Sequence, residues 1–208
     1  MQLADNDAYT SNVSRPPLFP RRAQLLLGLW LSAALVVVGS GAFARAPAAV
    51  LPLTVGGLTA LSLAAVLSDR EGRRWADAVS RARLAWFHAW RAVPGGAFLV
   101  LYAHGSLPWG FAVPGGVGDL AIALTAPIAA WASRRSDARA RLGYLAWNAL
   151  GFLDLANAVR EGALHTRIDP ASMHLLRELP LGLLPAFAVP LTFAAHALAV
   201  RRRPTTAV

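Results

Sequence analysis

Three ionisable residues, Arg91, Asp119 and Asp154, stand inside stretches of sequence that are otherwise apolar. In a bilayer each such charge costs several kcal/mol unless it is paired or hydrated, so these side chains must find one another or water. Arg91 comes eight residues after Arg83, about 12 Å into a helix that enters the membrane at that arginine. Asp119 is eight residues beyond Phe111 and Asp154 eleven beyond Gly143, which carries both carboxylates towards the middle or outer half of the membrane. One guanidinium between two carboxylates has two uses. The pairing fixes helix order and nothing more, or two acids competing for one arginine leave a carboxylate free to carry a proton or hold a cation. The expected buried polar cluster is Arg91, Asp119 and Asp154 with Asn148 and Asn157.

Histidines offer a second chemistry. His88, near the inner end of one apolar block, and His196, near the inner end of another, could clamp a haem iron between two helices, while His104, His165 and His174 could hold a metal with Asp169 or Glu178. The simpler reading of each is an interfacial polar residue at a helix end. No nucleophile with an adjacent base stands out, so the sequence leaves open whether the protein is an enzyme and names no cofactor.

Helical spacing decides which residues share a face. His88, Arg91, Gly95, Phe98 and Tyr102 recur every three or four residues, as do Trp147, Gly151, Asp154 and Ala158. Gly115, Gly116 and Gly118 precede Asp119 and remove side-chain bulk where the acid must be held against a neighbour.

The elements that carry these faces are apolar blocks, Ala23 to Phe43, Ala48 to Leu67, Leu84 to Ala103, Phe111 to Trp131, Gly143 to Val159 and Pro180 to Val200. Each is about the length an α-helix needs to cross roughly 30 Å of hydrocarbon. Hydrophobic residues make up 56% of the 208 and charged residues only 15%, which excludes an ordinary soluble domain. The expected fold is all-α, an integral membrane bundle of six transmembrane helices at 23–200, with cytoplasmic tails at 1–22 and 201–208. The first block is read as a retained helix rather than a secretory signal, because five more follow it.

The net charge of +9 comes from arginine alone, since the chain has no lysine. Arg15, Arg21 and Arg22, then Arg70, Arg73, Arg74, Arg81 and Arg83, then Arg134, Arg135, Arg139 and Arg141, and finally Arg201 to Arg203 fall on one side of the six blocks. Arg45, Arg160, Arg167 and Arg177 fall on the other. The positive-inside bias therefore places both termini in the cytoplasm. A basic strip beside anionic headgroups accounts for the charge without nucleic acid as a partner.

Absent residues exclude further classes. Without cysteine there are no disulfides, thiolate metal sites or cysteine nucleophiles, and without lysine there is no Schiff base and no phosphate-loop lysine. "GGVGD" at Gly115 to Asp119 lacks the glycine spacing and preceding strand of a nucleotide site. Trp86, Trp109, Trp131 and Trp147 suit an interfacial belt, and Pro94, Pro114, Pro127, Pro185 and Pro190 suit kinks. Residues 75–91 place Trp75, Val79 and Trp90 at helical spacing among arginines, so part of this segment is expected along the inner interface. The loop "EGALHTRIDPASMHLLRELP" is expected to form a short helical turn capping the outer end.

Arg91 followed by Gly96, Phe98 and Leu99, then "LPWGFAVPGGVGD", "WNALGFLDL" and "LLPAFAVPLTFAAH" ending at His196, resembles a pattern in small bacterial integral membrane proteins without an assigned activity. The likeness runs from Arg91 to His196 and leaves out the first two blocks. It implies a helical membrane fold in the bacterial inner membrane and gives no residue a catalytic role. The leading expectation is a small permease, channel or proton-coupled component centred on the Arg91, Asp119 and Asp154 cluster. The alternatives are a lipid- or quinone-linked membrane enzyme or haem protein, and an accessory subunit of a homo-oligomer or membrane complex.

Overall fold

The computed structural model describes residues 18–201, so the expected tails fall mostly outside the described residues. The described chain is helical and contains no strand. Helix α1 is Arg21–Gly39, α2 the single turn Ala42–Arg45, α3 Val50–Leu67, α4 Arg70–Ala78 and α5 Arg81–Phe87. A tight 3-10 turn, His88–Arg91, leads into α6, Ala92–Ala103. Next come α7, Trp109–Ala132, and α8, Ala138–Ile168, followed by a second 3-10 segment, Pro170–Arg177. A wide π turn at Leu184–Ala188 opens into α9, Val189–Arg201.

Four of these runs are long and apolar enough to cross a membrane, Arg21–Gly39, Val50–Leu67, Trp109–Ala132 and Leu184–Arg201. Of the six expected spans, the other two fall short for physical reasons. The third block leaves α geometry at His88–Arg91, so α6 keeps only 12 residues. The fifth continues past Val159 to Ile168 as a helix of 31 residues, and its apolar stretch falls short because Asn148, Asp154 and Asn157 lie within it while Arg139, Arg141, Arg160 and Glu161 bound it on both sides.

Contacts sort the connections into two ends. At one end Arg22 pairs with Asp69 at 3.6 Å, Arg201 with Asp77 at 3.8 Å, and Tyr144 donates to the Arg81 carbonyl at 3.4 Å. Arg22, Arg81 and Arg201, from three of the arginine-rich segments named above, stand at this end. Three helices there start on side-chain caps: Asp69 accepts from the Gly72 N–H at 2.6 Å, Ser80 from Arg83 at 3.1 Å and Asp137 from Ala140 at 2.8 Å. The Ala140 N–H holds the Asp137 carboxyl below the usual carboxylate range. The segment expected along the interface is thus a separate helix, α4, followed by a break at Val79 and a new start at Ser80.

At the opposite end the segment Pro170–Arg177 caps the bundle as expected, burying its own Met173 and Leu176 against Phe98, Leu107 and Phe111. Arg177 fastens this cap by donating to the carbonyls of Phe43, at 3.0 Å, and Ala46. Nothing in the sequence signalled that role.

Two apolar clusters bracket the middle. Ala76, Ala82, Ala85, Ala129, Ala130, Tyr144, Ala195 and Ala199 pack at the arginine-rich end, where small residues allow close helix approach. Phe98, Leu107, Phe111, Met173 and Leu176 pack under the cap. Proline shapes the last run. Pro190 has no N–H for the Ala186 carbonyl four residues back, and that carbonyl accepts instead from the Trp30 indole of α1 at 2.8 Å.

Candidate functional site

Between the two clusters lies the polar centre. Arg91 is 1% exposed, the most deeply buried charged side chain among the described residues. Its position on the 3-10 turn places a guanidinium where α7 and α8 both reach it. Nε donates to Asp119 Oδ1 at 2.5 Å, Nη2 donates to Asp154 Oδ2, and Nη1 donates to the Gly151 carbonyl at 3.2 Å. Three acceptors on two helices use the planar fork in three directions, which an ammonium does not match. With both acids ionised the centre carries one net negative charge.

Glycines make these contacts possible. A β-carbon on Gly95 would stand 2.8 Å from the Asp119 β-carbon and 2.9 Å from the Gly116 carbonyl, so α6 meets α7 here backbone to backbone. A β-carbon on Gly118 would occupy the place of the Asp154 carboxylate. The spacing of "PGGVGD" is therefore read by its neighbours and not by a phosphate.

His196 belongs to the same centre. Its ring lies over Gly151, where a β-carbon would come within 2.7 Å of Cε1. Asn148 donates to the His196 backbone carbonyl at 3.2 Å, which turns its amide oxygen towards His196 Nδ1 at 2.9 Å. That oxygen only accepts, so Nδ1 carries the hydrogen and Nε2 presents a lone pair. His88 stacks on His196 with ring centroids 3.9 Å apart and planes 24° apart. His196 Nε2 and His88 Nδ1 are buried and have no hydrogen-bond partner among the described residues.

Several expectations need correction. A face-to-face stack leaves no space for an iron between His88 and His196, so the pair does not form a haem clamp. His104, His165 and His174 each turn Nδ1 back to a carbonyl of their own helical segment, that of Val100, Glu161 or Ala171. Among the described residues no group of three or more potential ligands is placed to hold a metal ion, with or without Asp169 and Glu178. Asn157 lies on the exposed side of α8, away from the cluster, and Tyr102 is likewise exposed where the helical face was extended to it. Asn148 serves His196 and does not touch Arg91 directly. Of the four tryptophans expected at an interface, Trp147 is half-buried and its indole donates to Thr125 Oγ1 at 2.9 Å, whereas Trp86, Trp109 and Trp131 are exposed.

A cavity with room of about 50 Å³ for water-sized molecules opens beside the cluster. Arg91 and Asp119 form its polar patch, and its walls are apolar and partly aromatic, with Trp90, Phe98 and Phe111 among them. The Trp90 indole nitrogen is buried without a partner among the described residues. The cavity is built from six separate helical runs and has no local signature in the sequence.

Fold and site together define a class: an all-helical bundle, with helices apolar enough for a membrane, closed around an arginine held between two carboxylates. The chain belongs to the family described as Domain of unknown function (DUF8737), which matches residues 42–202. That match takes in α3, which the resemblance seen in the sequence had left out. Among curated proteins and solved structures, none matches the chain significantly.

Proposed function

We propose that the protein is a multi-pass component of the bacterial inner membrane, a small proton-coupled permease or channel centred on Arg91, Asp119 and Asp154. The observation that carries this reading is the fully buried Arg91 shared by two carboxylates, one of which lines a half-open cavity. A lone negative charge in a low-dielectric interior is costly, and uptake of a proton or cation relieves it. In proteoliposomes under an imposed pH gradient, the wild type is expected to move protons at least tenfold faster than Asp119→Asn. Flux no greater than in protein-free vesicles overturns the reading.

The six-span topology, with both termini cytoplasmic, is part of the proposal. It is supported by the arginine distribution and by the length of α8, 31 residues or about 46 Å, ample for a crossing despite its charges. The run from Arg81 to Ala103 makes the remaining pass as α5, the 3-10 turn and α6. A reporter active only in the cytoplasm should be active when fused at the C-terminus. Activity of a periplasm-only reporter at that position counts decisively against the topology.

The apolar cavity walls favour a second reading, a protein that binds a lipid or quinone tail. Lipids and pigments extracted from protein purified in mild detergent test it. An extract with no enriched lipid or quinone removes it.

A further inference from the structure

The cavity beside Asp119 carries more information than its position. One Asp119 oxygen is taken by Arg91 Nε, and no hydrogen bond reaches Oδ2 among the described residues. The side chain is 9% exposed and lines the cavity, while the Arg91 head is committed to Asp119, Asp154 and Gly151. The charged and titratable groups gathered here are Arg91 and His88 on the 3-10 turn, Asp119 on α7, Asp154 on α8 and His196 on α9. Helix α3, which closes the cavity with Leu51 and Val55, contributes none, and the segment Pro170–Arg177 lines it through Leu176 while its Arg177 guanidinium is committed to the carbonyls of Phe43 and Ala46, outside the lining. With neutral histidines the surroundings sum to one negative charge facing an apolar space with aromatic walls.

From this juxtaposition we infer that the cavity is a binding site for a small alkylammonium ion, whose charged end sits at Asp119 and whose apolar body lies among Trp90, Phe98, Phe111 and Leu155. Charge sets the sign, because an anion meets the net negative centre and a neutral molecule leaves it uncompensated. An ammonium supplies the missing donor to the carboxylate, and the aromatic faces favour a cation. Size sets the scale. A water needs about 10 to 15 Å³ of such space, so room of about 50 Å³ holds roughly four non-hydrogen atoms.

The inference rests on the proton-coupled reading and makes it specific. The centre is neutralised by one positive charge, so proton and ammonium exclude each other. The protonated site plus the ammonium ion gives the ammonium-bound site plus one released proton, with no other bond changed.

The test uses purified full-length protein in detergent and four additions at equal concentration and matched ionic strength: propylammonium chloride, 1-propanol, sodium propionate and sodium chloride. Thermal unfolding is followed in each, and released protons are read with an indicator dye in weak buffer. Propylammonium alone is expected to raise the unfolding midpoint, by an amount that saturates with concentration. Its apparent affinity should rise with pH, up to tenfold per unit while the site is protonated, with up to one proton released per ion bound. Asp119→Asn, if it folds, should lose the selectivity for the ammonium. Equal stabilisation by 1-propanol or sodium chloride, no stabilisation by propylammonium, or an affinity independent of pH overturns the inference. These outcomes are distinct from proton flux in vesicles, which can survive the loss of the ammonium site.

Discussion

Arg91→Leu is expected to lower the yield of folded protein drastically, and more than Asp119→Asn or Asp154→Asn alone. The arginine is the common partner of both acids and of the Gly151 carbonyl. Its removal strands two carboxylates near each other, whereas each acid substitution leaves a complete pair. Breaking a buried ion pair by removing one partner costs about 3–5 kcal/mol, which is a large share of the roughly 5–15 kcal/mol that holds a typical domain together. Arg91→Lys should not restore the loss, because an ammonium on a single stem does not span acceptors on two helices. The triple variant Arg91→Leu, Asp119→Asn, Asp154→Asn should recover much of the yield, since no charge is left unpaired. Monodisperse protein after size exclusion in detergent is the measurement. A single Arg91→Leu variant as abundant and as heat-resistant as the wild type would show that the ion pairs do not hold these helices together.

The same charges explain how much could be read in advance. A carboxylate or guanidinium in an apolar block is costly enough that its partner can be sought among the few other charges at similar depth, and only Arg91, Asp119 and Asp154 met that condition. The prediction needed no detail of packing. Asn157 failed because an uncharged amide carries no such penalty, and although it follows Asp154 by three residues it is turned about 120° from Gly151 around the helix, onto the exposed side of α8. His88 and His196 were seen as a pair, but their ring stacking depends on Asn148 and on the missing side chain of Gly151, and neither is visible as a charge. The four-against-six count has two origins. The fifth block falls short on composition, through Asn148, Asp154 and Asn157, whereas the 3-10 turn at His88–Arg91 divides the third block and leaves no mark in hydropathy. Arg177 looked like one of four scattered outer arginines, since the carbonyls it fastens belong to a turn more than a hundred residues away.

Gly118→Ala should damage the site, and the damage should vanish when Asp154 is shortened as well. In an ordinary helix the exchange of glycine for alanine stabilises by up to about 1 kcal/mol. At this position the new methyl group lands on the Asp154 carboxylate. That group is the end of a short side chain, which normally swings aside at little cost. Here Arg91 Nη2 holds it, and moving it breaks a buried ion pair, so overpacking of about 1–3 kcal/mol is expected instead of a gain. In an Asp154→Ala background the obstruction is gone and the Arg91 and Asp119 pair remains, so the same Gly118→Ala change should be neutral or stabilising. The four proteins form a double-mutant cycle with an expected coupling of about 2 kcal/mol, measured from unfolding midpoints in detergent. Strictly additive effects would mean that Gly118 serves backbone flexibility and not the carboxylate. The coupling, if found, gives the glycine between "PGGV" and Asp119 a definite role, because its missing side chain leaves the space in which the second acid reaches the arginine.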